Sequence, residues 1–304
     1  MWITLSIRSL ITLVLITLVL NPAVGWGSKA VGDGISVRYE ELTAIEFQTA
    51  LEKADYTCII PMGILEKHGP HLPLGTDMLD VREMAMRAAK REYTLIFPEY
   101  YFGQIYEAKH QPGTIAYSHE LIWNMLQETC GELARNGVKK IILVNGHGGN
   151  NSFLSYFLQV QLEEPRDYAV YLFTPSDDPV TLEKVAERRK TEMDMHAGEL
   201  ETSRMLAHRP DLVETEKANT QSGEDQARLN DLQDATTGIW WYARFPNHYA
   251  GDGSPAEPKL GELLIEAKVD QLVKLIKHVK QDTRVLKLQE RFFEEAKNPL
   301  KTRQ

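Results

Sequence analysis

The chain has 304 residues, 25% of them charged and 43% hydrophobic, with a formal net charge of −9. That balance excludes a disordered or collagen-like chain and leaves ample length for a core. The acidic total and the lack of a Lys/Arg run argue against nucleic acid as a partner. Two cysteines, Cys58 and Cys130, are too few for a disulfide scaffold. With no C-x-x-C spacing, they read as buried free thiols.

Residues 1–25 have the order of a secretory signal: Arg8, an apolar run over 10–20, the breaker Asn21-Pro22, then small residues over 23–25. The run is shorter than the roughly 20 residues that span a bilayer, which favours cleavage over anchoring. The expected mature protein is residues 26–304, one domain, secreted or periplasmic and free of the membrane. Apolar spacing predicts a helix over 43–53 and a buried strand over 57–62. The helix expected over 77–91 carries Val81, Met84, Ala85 and Ala88 on one face. A strand over 93–98, a helix over 119–136, a strand over 139–144, a helix over 151–162 and a strand over 168–173 follow. This alternation predicts an α/β fold with a largely parallel sheet. After Glu257, one long amphipathic packing segment is expected to run to about Ala296. The glycine- and tryptophan-bearing stretch 221–254 reads as an active-site cover or a subunit contact.

Three clusters carry chemistry. The first, G-I-L-E-K-H-G-P-H-L-P-L-G-T-D over 63–77, follows the strand at 57–62. Sites in open α/β sheets lie beyond the carboxyl ends of strands. Glu66 and His68 are two apart and share one side of an extended segment. Pro70, Pro73 and Gly75 preclude a helix, and the loop returns Asp77. Two carboxylates and an imidazole on a stiff loop suit a divalent transition metal. The plainer reading is a polar loop whose Asp caps the next helix. The second cluster, N-G-H-G-G-N over 145–150, places His147 after the strand at 139–144. It matches neither common phosphate-binding pattern; its plain alternative is a tight turn. The third, H-A-G-E-L-E-T-S over 196–203, is expected to open a helix with His196, Glu199 and Ser203 on one face and Glu201 pointing elsewhere. Glu66, His68, Asp77, His147 and Glu199 together supply enough ligands for two metals with one carboxylate bridging, as in hydrolysis by metal-activated water. H-E-x-x-H is absent, so a zincin peptidase is not indicated.

On these three blocks, in this order, the sequence over roughly 38–280 resembles the creatininase (creatinine amidohydrolase) family. Looser matches are Q-P-G-T over 111–114, where Ala-Lys separates Glu107 from His110, and Gly251-Asp252 with Ala256 and Gly261. The resemblance implies a three-layer α/β/α fold, a hexameric homo-oligomer and a binuclear Zn or Mn site, with Fe also suited to the ligands. It assigns Glu66, His68, Asp77 and His147 as ligands, Asp77 bridging, and His196 as proton shuttle. Some members place a ligand carboxylate where this chain has Gly149, so Glu199 is expected to supply the last carboxylate, as ligand or catalytic base. The implied activity is cleavage of a C–N amide bond in a small molecule, a cyclic amide or a formamide. A lactone or small-peptide hydrolase on the same metals, and a non-catalytic structural homologue, are the alternatives. Tyr106, Trp240 and Trp241 are candidate pocket residues.

Overall fold

Thr43, Ser118 and Asp178 each start a helix by accepting a backbone N–H of its first turn. A computed structural model describes residues 34–302; the signal reading at 1–25 lies outside them. Thr43 and Glu46 form a reciprocal capping box at the start of α1 (Ala44–Lys53), which satisfies two otherwise orphaned backbone N–H groups. The central strand β1 (Thr57–Met62) is buried along its whole length. The apolar run therefore reads as an interior parallel strand, covered on both faces. Next come α2 (Thr76–Arg91), the short β2 (Leu95–Ile96), α3 (His119–Arg135), β3 (Lys140–Asn145), α4 (Asn151–Val160) and β4 (Ala169–Leu172). α5 (Pro179–Arg188), capped by Asp178, was not expected from the sequence. α6 (Glu199–His208), the five-residue α7 (Trp240–Arg244), α8 (Pro258–Gln281) and α9 (Val285–Ala296) complete the order.

The sheet is parallel, in the order β2-β1-β3-β4, and is flanked by helices in the expected three-layer α/β/α arrangement. Among the described residues, those from 35 onward form one compact unit. The single C-terminal segment expected after Glu257 is instead two helices. Asp282 ends α8, and its carboxylate accepts from the Val285 N–H to start α9. Ile265, Val269, Leu272 and Ile276 of α8 enter the core, whereas α9 buries no residue. Cys58 and Cys130 are buried free thiols. No helix among the described residues is long and apolar enough to cross a membrane.

The strand order positions the site. The chain leaves β1 toward β2, then returns to place β3 on the other side of β1. The crevice beyond the carboxyl ends of β1 and β3 is thus the topological switch point, where ligands bind in such sheets. Met62 and Asn145, the last residues of the two strands, are register partners.

Candidate metal centre

The loop after β1 and the loop after β3 meet at this crevice. The Glu66 Oε1 and His147 Nδ1 atoms are 2.8 Å apart, and His147 Nδ1 lies 3.2 Å from Asp77 Oδ2. All three side chains are buried. Each offers one ligand atom within 4.8 Å of the others. His68 faces the same carboxylates, its Nε2 3.1 Å from Asp77 Oδ1. Its Nδ1 is 3.2 Å from the Glu66 carbonyl oxygen, which only accepts, so Nδ1 carries the hydrogen and Nε2 is the nitrogen turned to the site. Metal-ligating histidines characteristically donate their other ring N–H to a carbonyl in this way. His71, from the same loop, turns away to Thr202 Oγ1 at 2.8 Å.

The electrostatics match a cation site. Burial opposes ionisation of Glu66, but His147 and His196, with hydrogen bonds from His147 and His248, hold its carboxyl well below the usual range. Burial likewise opposes charging of His68, yet Asp77 and Glu66 raise it to about 10. Glu66 and Asp77 raise His147 well above its ordinary value in the same way. Protons occupy the place of a cation between these carboxylates. Asp77 Oδ2 and His147 Nε2 are nonetheless buried without a hydrogen-bond partner. Buried polar atoms are rarely left so, and a divalent ion satisfies carboxylate and imidazole donors together.

His196 stacks on His68, with ring centroids 4.4 Å apart. Its Nε2 donates to the Lys67 carbonyl at 2.9 Å, and its Nδ1 faces Glu201 Oε2 at 3.8 Å. His68, His196 and Glu201 form a second group able to hold a metal. Here the structure departs from the sequence reading. Gly198 is the N-cap of α6, so the helix starts at Glu199 and His196 lies outside it. A helical-face relation counted from His196 therefore does not apply. Glu199 turns back, its carboxylate accepting from the Lys190 N–H at 2.9 Å and the Thr191 N–H at 2.7 Å. Its role as metal ligand or catalytic base is corrected on that ground. Glu201 takes the place facing the site. Burial opposes its ionisation, but His196, His68 and Arg204 hold it down at about 2.

The site opens into a cavity of about 960 Å³, within the usual range for small-molecule pockets. Tyr106, Trp240 and Trp241 line it, so the stretch 221–254 does cover the site. Two further lining residues had little sequence signal. Glu107 comes from a 3-10 turn (Tyr106–Ala108); its Oε1 lies 4.0 Å from His147 Nε2, and burial raises its carboxyl. A Cβ on Gly149 would stand 2.8 Å from Glu107 Oε1, so glycine there leaves room for that carboxylate. His248, from the aperiodic cover, hydrogen-bonds Glu66 Oε2.

An open parallel α/β sheet with buried carboxylates and imidazoles at its switch point suits metal-dependent hydrolysis. A family model described as creatinine amidohydrolase matches residues 40–276. The chain belongs to the creatininase family, whose hydrolases act on C–N amide bonds. It is 31% identical over 196 residues to the creatinine amidohydrolase of Pseudomonas putida, covering 60% of this chain and 75% of that protein. It is 32% identical over 170 residues to a mycofactocin precursor peptide peptidase of Mycobacterium tuberculosis, covering 52% and 61%. A crystal structure of creatinine amidohydrolase (creatininase) superposes with a TM-score of 0.71 at 26% identity, covering 82% of this chain and 100% of that one. Creatininases of this fold have been solved in Zn–Zn and Mn forms.

Proposed function

We propose that the protein is an exported, metal-dependent amidohydrolase that cleaves a C–N amide bond in a small molecule, a cyclic amide or formamide, using two zinc or manganese ions. The reading is carried by one observation: the buried Glu66 Oε1 and Asp77 Oδ2 converge on His147 Nδ1, at 2.8 and 3.2 Å, beside a cavity. Glu66, His68, Asp77 and His147 would hold the metals. Bound divalent ions supply a Lewis acid for the amide oxygen and make water acidic enough to attack near neutral pH. The residues around them handle protons. Glu201, kept ionised, faces His196 Nδ1 at 3.8 Å. His196 is placed to pass a proton to the leaving nitrogen. Glu107 also lines the cavity and is a second group for proton transfer.

The cavity volume and the similarity to a peptide peptidase favour a short peptide as the second substrate class. Assembly as a homo-oligomer, a hexamer by family resemblance, and export through residues 1–25 belong to the same proposal. The test is hydrolysis of a panel of cyclic amides, N-formyl compounds, short peptides and lactones by chelator-treated protein, before and after zinc or manganese is restored. Turnover of an amide that returns only with metal, and is lost in Asp77→Ala, is expected. Metal-independent turnover, or an Asp77→Ala protein that keeps both metal and activity, would contradict the reading.

A further inference from the structure

His248 is buried, and its backbone stands at φ +50°. Non-glycine residues hold that left-handed conformation only when their surroundings impose it. Here the surroundings are the loop after β1. Lys67 Nζ donates to the Asn247 carbonyl at 2.7 Å, and the Gly69 N–H approaches the His248 carbonyl at 3.5 Å. The ring is fixed at both ends. Trp241 Nε1 is 2.8 Å from His248 Nδ1. An indole nitrogen only donates, so Nδ1 is the accepting, unprotonated nitrogen and Nε2 carries the hydrogen. That hydrogen is donated to Glu66 Oε2.

Glu66, His196 and His248 lie close enough to hold a metal. The hydrogen-bond directions argue against that use. Nε2 of His248 is committed to Glu66 by the indole on its far side, and Nε2 of His196 donates to Lys67. With its outer oxygen so occupied, Glu66 turns Oε1 toward His147 and Asp77.

We infer that His248 is a positioning residue: through the chain Trp241–His248–Glu66 it orients the Glu66 carboxylate for the metal and couples the cover of the cavity to the metal centre. The inference rests on the metal reading of the site. Its parts come from separate places in the chain. Trp241 belongs to α7 and lines the cavity, so a substrate resting on α7 acts on the indole whose hydrogen bond fixes the ligand's orientation. Partners of this kind that orient a ligand typically carry about 10–100-fold in metal affinity.

The test is the zinc dissociation constant, by chelator competition, and zinc stoichiometry for the wild-type chain and for H248N, H248Q and W241F. Tryptophan emission is followed in the same titrations. Asn tolerates the left-handed backbone and reproduces the Nδ1 acceptor without reaching Glu66. Gln extends an amide N–H toward Glu66. The expected result is zinc binding weakened about 10–100-fold in H248N, restored to within about three-fold in H248Q, and weakened to an intermediate degree in W241F, with stoichiometry unchanged throughout. Zinc changes the emission of the wild type, and that change is lost in both W241F and H248N. H248N binding zinc as tightly as wild type would overturn the positioning role. Loss of one ion per chain in both His248 variants would make His248 a ligand and overturn it equally. A wild type that binds no zinc would bring down the metal centre itself, a result distinct from either of these.

Discussion

Glu199 and Glu201 stand two residues apart in one helical turn and do opposite work. Glu199 ties down two backbone N–H groups, those of Lys190 and Thr191, its two oxygens accepting at 2.7 to 3.0 Å. Glu201 turns its charge to His196 and His68. E199Q is therefore expected to cost about 1–3 kcal/mol of stability, the usual cost of leaving a buried hydrogen-bonding group unmatched, with metal content per chain unchanged. E201Q is expected to fold but to lower kcat by about 10²-fold or more, as removal of a proton-transfer partner does. Thermal melts with elemental analysis check the first, and steady-state kinetics the second. Sequence spacing could not separate the two carboxylates. The choice turns on where the helix starts, and Gly198 sets that start one residue before Glu199. Glu66, His68, Asp77 and His147 were legible because each follows directly on a buried strand or lies in its stiff loop. Glu107 and His248 were not, because each reaches the site from an aperiodic segment whose path is set by tertiary contacts.

At the scale of elements, the site depends on how closely α6 packs on α8. A methyl group on Gly261 of α8 would run into the Ser203 carbonyl of α6. The Ser203 hydroxyl also accepts from the Glu257 N–H at 3.0 Å, tying the start of α8 to the same turn. G261A is expected to push the helices apart at a cost of about 1–3 kcal/mol, typical of overpacking. In a chain of this size that lowers Tm by about 2–4 °C per kcal/mol. Because α6 carries Glu201, kcat should fall together with Tm; a melt unchanged from wild type would show that the crossing has slack. Periodicity read most helices and strands to within a few residues because their apolar faces enter one core. It merged α8 with α9 because both are amphipathic. The break comes at Asp282, the C-cap of α8, whose carboxylate accepts from the Val285 N–H, a local hydrogen bond that hydrophobic spacing does not register.

For the whole molecule, the centre links stability to pH and to metal. Glu201 is held at about 2, below its ordinary 4.5. A depressed carboxyl contributes stability that is present above its unfolded value and is lost as pH falls through its folded value. The metal-free protein is therefore expected to lose stability between about pH 4.5 and 2, and E201Q to flatten that limb in denaturant melts. His68, raised to about 10, acts in the other direction: its contribution is complete below 6.5 and disappears as pH rises through about 10. Metal must displace that proton, so binding should release protons and tighten as pH rises toward this range. The most direct measurement is transition-metal content per chain, by elemental mass spectrometry on protein purified without chelator or a metal-binding tag. About two ions per chain are expected, falling sharply in Asp77→Ala. No bound metal, even after incubation with zinc or manganese, would contradict the metal reading of the site.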